Sequence, residues 1–422
     1  MPLLTIFVTA VFLYSLVSRL VERSPLTSPI IFTTVGVMAA LVLQELTHGE
    51  ANAEAFLTIA ELGLVLLLFS EASHIDRRLL RSIRGLPTRL LTTGMVLTIG
   101  LGMVVALVLF DQLSIWEAGI LAAVLAPTDA GLGQAIVSDT RVPQQIREAL
   151  SVEAGLNDGL AVPFLLFFIA LAGSTASGES ASLLGFIVEQ IGYGAAIGLV
   201  VARGGAWLAG RARQMNWVDE RIAKLGFLMM PLFCMLAAHA VHGSAFIAAF
   251  VGGLALPRNT EFPGRLAVQF TEDWGQLINL AVFFLFGVLL VAAWPDLRPI
   301  HFVYGVLSLT VIRMIPVAIA LKGSGMCRAT VGFIGWFGPR GLASIVLGLV
   351  YVEQVHGATN SLIGLTVTAT VLLSVLAHGL TAKPGATWYA RAVAALPASA
   401  PEHGARPIAP AGGSSDDTSA KT

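Results

Sequence analysis

Six ionisable residues lie inside long apolar stretches of this 422-residue chain: Glu71, Asp129, Glu153, Asp158, Arg313 and Arg340. A charge at the centre of a membrane helix costs roughly 2.5–3.5 kcal/mol on insertion scales, so each needs a partner or a purpose. Four acids face two bases. Unless they are protonated, the surplus carboxylates call for a cation. Carboxylate, carbonyl and hydroxyl oxygens together suit a hard cation of low charge and not a soft metal. The chemistry on offer is competition between a proton and a monovalent cation for one carboxylate.

Glu153 and Asp158 share the run Ser151-Val-Glu-Ala-Gly-Leu-Asn-Asp-Gly159. At about 100° per helical residue, Glu153 and Asn157 fall about 40° apart on one face, and Asp158 points about 140° away from Glu153. The two acids therefore have different neighbours. Asp158 is the candidate for the exchanging group; the alternative is a carboxylate locked to Arg313 or Arg340. Glu153 is placed to neutralise an arginine, and Arg340 is the expected partner. Asp129 follows Pro127, which frees backbone carbonyls, and Thr128, which adds a hydroxyl. It either joins the oxygens around the cation or caps a helix that restarts after the proline. Glu71, in Leu68-Phe-Ser-Glu-Ala-Ser73, is either a solvated helix end or a further acid that reaches the ion. Glu61, His239 and His242 read as residues of the outer mouth.

The elements that must hold these groups follow from composition. The chain is 56% hydrophobic and 12% charged, with mean hydropathy +0.80. A soluble domain is usually about 25% charged, so the soluble classes are excluded. With 25 Lys and Arg against 26 Asp and Glu, nucleic acid is not an expected partner. Cys234 and Cys327 have neither disulfide-framework nor zinc-site spacing. Thirteen apolar runs of about 20 residues, each long enough to cross a hydrocarbon core of about 30 Å, recur between residues 2 and 382. Of the 25 basic residues, 22 fall in alternate connections, Arg298 falls on the other side, and Arg313 and Arg340 lie within spans. By the positive-inside rule the N-terminus is outside and the C-terminus cytoplasmic. Span 1 lacks a basic leader and a small-residue cleavage site, and reads as a retained helix. Residues 1–383 form the expected transmembrane domain. Residues 384–422 form a cytoplasmic tail, too poor in large apolar groups to fold from about Ala395. No cofactor is called for.

Two spans carry a mid-depth proline beside glycine and a charge: Leu125-Ala-Pro-Thr-Asp-Ala-Gly131 in span 5 and Gly335-Trp-Phe-Gly-Pro-Arg-Gly341 in span 12. Pro127, Gly338 and Pro339 are expected to break these helices. Unwound backbone at membrane depth is tolerated only where protein or a water-filled cavity satisfies it. An offset of seven spans means opposite directions of crossing, as an inverted repeat of spans 1–6 against 8–13 would give. The expected fold is thus an all-α polytopic membrane protein of about 13 transmembrane helices with two crossed, broken helices. Paired breaks point to a transporter's site. The other classes are a cation channel with a broken-helix pore and an intramembrane aspartyl protease on Asp129 and Asp158. The protease lacks its usual Gly-x-Gly-Asp setting, and arginines beside the acids oppose a shared-proton dyad.

The run Glu153-Ala-Gly-Leu-Asn-Asp-Gly159 resembles the signature of NhaP-type sodium/proton antiporters, relatives of the animal sodium/proton exchangers: a glutamate, three residues, then Asn-Asp. Thr128-Asp129 is similar to the Thr-Asp of their unwound fifth helix, and Phe337-Gly-Pro-Arg-Gly341 to their Arg-Gly crossing helix. Arg313 falls where the family has a basic residue, and Glu71 matches a Phe-x-Glu acid of the third helix. The resemblance covers all the apolar spans. It implies that Asp158 carries ion and proton with Asp129 and Thr128 beside it, that Asn157 bridges the broken helices, and that Glu153 and Arg340 form an ion pair. It also implies a homodimer in the bacterial inner membrane. A core bundle, 86–172 and 300–382, would move against a dimerisation part made of the remaining spans, exchanging one sodium for one proton without net charge. Ala130 stands where the family usually has proline, and Ala154 where several members have an ion-assisting serine. That leaves lithium or potassium open alongside sodium.

Overall fold

The computed structural model describes residues 2–43, 50–74, 85–177, 185–186, 188–257, 265–354, 362–397 and 399–403. Of the 22 basic residues in alternate connections, Arg77, Arg78, Arg81, Arg84, Arg258, Arg406 and Lys421 lie outside the described residues. In lipid a backbone must satisfy its own N–H and C=O groups, and helices do so segment by segment. The chain takes this solution: α1 Pro2–Arg23, α2 Ser28–Val42, α3 Glu50–His74, α4 Leu86–Leu109, α5 Ile115–Val124, α6 Ala130–Val137, α7 Gln144–Ser177 and α8 Val188–Gln214. There follow α9 Glu220–Ala240, α10 Ala245–Ala255, α11 Arg265–Ala293, α12 Pro299–Leu309, α13 Val311–Ala320, α14 Arg328–Trp336, α15 Leu342–Gln354 and α16 Leu362–Ala394. Among the described residues, nine helical segments are long and apolar enough to cross a membrane, and four shorter apolar helices accompany them. The architecture is that of an integral membrane protein.

Both expected interruptions are present, between α5 and α6 and between α14 and α15. A third was not foreseen. Thr310 (φ −111°, ψ −88°) separates α12 from α13, and Arg313 emerges within a turn of this kink. Pro163, by contrast, lies inside the continuous α7.

Helices α4, α5, α7, α12 and α16 pack largely with one another, while α2, α3, α8, α9, α10 and α11 pack with one another; α3 also lies against α7 and α15. Helix α1 leaves Leu4, Val8, Phe12, Leu16 and Leu20 exposed, the apolar face of a helix at the rim. Helix α16 is central, with Ile363 and the run Leu365–Val371 buried and buried residues recurring along it to Val393. The α2–α11 contact depends on missing side chains. A Cβ at Gly287 would meet the Thr33 carbonyl, and one at Gly36 the Phe284 carbonyl, so the two backbones touch where glycines alone fit.

The chain beyond α16 corrects an expectation. The segment from about 395 was expected to lack structure, yet Pro401–His403 forms a 3-10 turn. Glu402 is buried and accepts hydrogen bonds from the Cys327 N–H (2.7 Å) and the Thr330 hydroxyl (2.9 Å) at the start of α14. Composition does not register one well-placed carboxylate at a helix N-terminus. Residues 404–422 lie outside the described residues.

The α2–α11 contact makes a prediction of opposite signs. Gly287→Ala should lower the thermal stability of the detergent-purified protein by about 1–3 kcal/mol, because the added methyl has only backbone to displace. Gly226→Ala, in α9 with open space around it, should leave stability unchanged or raise it slightly.

Candidate functional site

The two breaks meet, and each completes the other. Where α5 stops, the carbonyls of Ala126 and Pro127 have no helical partner; Arg340 Nη1 donates to both, at 2.5 and 2.9 Å. The Ser344 hydroxyl donates to the Val124 carbonyl at 2.8 Å. In return, the Asp129 N–H donates to the Pro339 carbonyl at 2.7 Å. The Asp129 carboxylate faces two helix starts at once: Oδ1 accepts from the Leu132 N–H of α6 at 2.7 Å, and Oδ2 accepts from the Leu342 N–H of α15. This approach requires a glycine, since a Cβ at Gly341 would overlap Asp129 Oδ2. Two helix N-termini, each carrying partial positive charge, thus share one carboxylate, and the carbonyl end of α5 shares one guanidinium.

The other buried arginine has a different role from the one expected. Glu153 pairs not with Arg340 but with Arg313, through Arg313 Nη1–Glu153 Oε1 at 2.6 Å and Nη2–Oε2 at 2.9 Å. Both side chains are 3% exposed. The kink at Thr310 lets Arg313 reach α7, and Gly338 lets its guanidinium lie against the second break, where a Cβ would collide with Arg313 Nε. Arg340 is fully buried and committed to the first break.

Asn157 also departs from expectation. It does not span the two breaks; its Nδ2 donates to the Thr128 hydroxyl at 2.6 Å, tying α7 to the first break alone. The link between the breaks is made by Asp129 and Arg340 instead. Asp158, one residue on, is 3% exposed. Glu71 is brought inward: a Cβ on Gly155, one turn before Asp158, would rest against the Glu71 side chain. His239, expected at a mouth, lies 3.1 Å from Glu61 across α9 and α3.

Arg340 Nε and Nη2 are buried without a hydrogen-bond partner among the described residues, and so are four side-chain oxygens around this centre: Glu71 Oε2, Asn157 Oδ1, Asp158 Oδ1 and, beside Gly131, Asn279 Oδ1. Each oxygen is an acceptor, and buried acceptors without a donor are costly. Once Glu153 is paired with Arg313, the acids Glu71, Asp129 and Asp158 outnumber the one remaining buried guanidinium, Arg340. Asp129 is engaged by backbone N–H groups. The unmet negative character therefore concentrates at Glu71 and Asp158. A cavity lined by Thr128, Asp129, Gln134, Ser151, Ala154 and Pro339 adjoins the first break. Beyond it, in the connection between α6 and α7, the Arg141 guanidinium hydrogen-bonded to Asp139 holds that carboxyl below its usual range, and Arg141 reaches Thr387 on α16.

Sequence reasoning missed Ser344, Ser374 and His378. A signal for the last two exists: Thr366, Thr370, Ser374 and His378 recur every four residues, a buried polar stripe on an otherwise apolar helix.

A helical membrane bundle with two abutting broken helices and buried acids is the architecture of ion-coupled transporters. Comparison with known proteins agrees. A family model described as sodium/hydrogen exchanger, transmembrane, matches residues 7–388, and the chain belongs to that family. It is 28% identical to a K(+)/H(+) antiporter NhaP2 of Shewanella sp. (strain MR-4) over 62% of this chain and 45% of that one. It is 24% identical to a Na(+)/H(+) antiporter of Schizosaccharomyces pombe over 82% and 80%. It is 26% identical to a sodium, potassium, lithium and rubidium/H(+) antiporter of Bacillus subtilis over 68% and 42%. The match thus spans about half the length of NhaP2. The fold is similar to that of the sodium proton antiporter MjNhaP1 of Methanocaldococcus jannaschii, with TM-score 0.73 at 20% identity over 94% of this chain and all of that one.

The ion pair generates a prediction. Glu153→Ala or Arg313→Ala should each destabilise the purified protein by roughly 3–5 kcal/mol, because either leaves a buried charge unpaired, and the double variant should be no worse than the worse single one. Arg340→Ala combined with Glu153→Ala should instead add a separate loss in the same thermal unfolding measurement.

Proposed function

We propose that this chain exchanges a monovalent cation for a proton across the cell membrane by alternating access at Asp158. The observation that carries the reading is a trio of unpartnered buried oxygens, Glu71 Oε2, Asn157 Oδ1 and Asp158 Oδ1. A proton on Asp158, or a dehydrated cation drawn in among these oxygens, would each relieve them. The two compete for the same Asp158 oxygens, so binding of one displaces the other. Competition alone then couples the two fluxes, since the site crosses the membrane only when its charge is met. Among the described residues no three His, Cys, Asp or Glu side chains converge as a transition-metal centre would require. Oxygen ligands with two carboxylates suit sodium, lithium or potassium.

In this reading Thr128 and Asn157 orient the site, Glu153 with Arg313 anchors α7 to the second break, and Asp129 with Arg340 holds the two breaks together. The relatives' names include sodium, potassium, lithium and rubidium as exchanged cations, which supports a monovalent substrate without selecting one. A single acid beside Asn157 fits exchange of one cation for one proton without net charge. The same family resemblance supports a homodimer in the bacterial inner membrane, with a core bundle of 86–172 and 300–382 that rocks against the remaining spans. The distribution of basic residues supports an N-terminus outside and a C-terminus in the cytoplasm, and the offset of the two breaks supports an inverted repeat.

The two other classes lose ground on geometry. A protease dyad needs two carboxyls sharing a proton, and both oxygens of Asp129 already accept backbone N–H groups. A pore through the breaks would require an opening where Arg340 and Asp129 are 0% and 5% exposed.

Asp158→Asn in proteoliposomes should abolish dissipation of an imposed pH gradient by sodium, lithium or potassium while the protein still inserts and keeps its fold. Near-normal cation-dependent dissipation in that variant would overturn the assignment.

A further inference from the structure

The second break is closed by two residues that the ion chemistry does not use. In an uninterrupted helix the Arg340 N–H would donate to the Trp336 carbonyl four residues back. The break parts these two groups; the Trp336 carbonyl keeps a local bond from the Gly338 N–H at 2.9 Å, and α16 adds a donor to that carbonyl and an acceptor for the Arg340 N–H. The Arg340 N–H donates to Ser374 Oγ at 2.6 Å, and His378 Nε2 lies 2.8 Å from the Trp336 carbonyl. A carbonyl can only accept, so Nε2 is the donor whatever the charge of the ring. His378 Nδ1 is held within its own helix, 3.2 Å from Ser374 Oγ and 3.0 Å from the Ser374 carbonyl. The Trp336 ring lies over the imidazole at 5.2 Å between centroids, with its Nε1 donating to Thr381 Oγ1 at 3.0 Å. Ser374 and His378 are 0% and 1% exposed, so neither can draw on solvent.

The lost backbone bond is thus replaced by a clamp of two side chains one helical turn apart. What the clamp fixes is Arg340. Its backbone is set by Ser374, and its guanidinium reaches the Ala126 and Pro127 carbonyls. Thr128 follows directly, and its hydroxyl receives Asn157, the neighbour of Asp158. A continuous chain of hydrogen bonds and adjacent residues therefore runs from α16 to the ion site.

We propose that Ser374 and His378 are positioning residues for cation binding, acting through Arg340 on the ligand geometry around Asp158; the inference rests on Asp158 being the ion carrier. A residue that merely packs α16 would change how much active protein is recovered. A positioning residue changes how tightly the cation is held.

The test is the initial rate of cation-driven pH-gradient dissipation in proteoliposomes, measured against sodium, lithium and potassium concentration. His378→Ala should raise the half-saturating cation concentration about ten-fold, the effect of one buried hydrogen bond lost, and change the maximal rate less. Ser374→Ala should give a similar rise. His378→Gln, whose amide nitrogen can reach the Trp336 carbonyl, should recover most of the native value. Native half-saturation in Ser374→Ala or His378→Ala, or a His378→Gln protein with half-saturation raised as far as in His378→Ala, would overturn the proposal. Should His378→Ala not insert, Ser374→Ala and His378→Gln decide it by the same criteria. The two readings fail separately. Exchange that survives Asp158→Asn removes the ion carrier, whereas an inactive Asp158→Asn beside clamp variants of native half-saturation removes only the clamp.

Discussion

The structure turns on one carboxylate that serves two helices. Asp129 accepts N–H groups from the starts of both α6 and α15, and its own N–H closes on Pro339 of the opposite break. A broken helix in a membrane exposes unmet donors at one end and unmet acceptors at the other, and lipid supplies neither. Bringing two breaks together lets one acid meet the donors of two ends. Arg340 does the complementary work at the carbonyl end of α5. Gly341 and Gly338 are the sequence's concession to this geometry, since a side chain at either would drive Asp129 or Arg313 away.

That economy determines where the remaining charge can act. Asp129 and Arg340 are committed to backbone, and Glu153 and Arg313 to each other. What is left is Asp158 with Glu71 nearby, each with an oxygen that no donor meets. In the proposed reading the ion is held by the groups left over once Asp129 has its backbone donors and Glu153 has Arg313. A site built this way can gain or lose a proton or a cation without dismantling its support.

Much of this was legible in the sequence, because a buried charge or a mid-helix proline is conspicuous against an apolar background. Pro127, Pro339 and the six intramembrane charges mark the breaks and the excess of acid. Partner choice was not legible. Helical periodicity says which face Glu153 occupies but not which helix lies opposite, and Arg313 is brought within reach by a kink at Thr310, between Gly305 and Pro316. The family resemblance implied that Asn157 spans the breaks, and it bonds only to Thr128. His378 and Ser374 escaped notice because neutral polar residues in an apolar helix have many roles. Their four-residue spacing acquires meaning once the Trp336 carbonyl and the Arg340 N–H are seen to face them. The buried Glu402 was hidden in a segment whose average composition argued against any fixed place.

The account's central claim is that one buried carboxylate holds a proton or a cation in turn. Proton release on cation binding, measured with the purified protein in weakly buffered detergent solution, tests it most directly. Addition of the transported cation should release protons in a saturable manner from the native protein and none from Asp158→Asn. Saturable cation binding with no proton release, or equal release from both proteins, would contradict it.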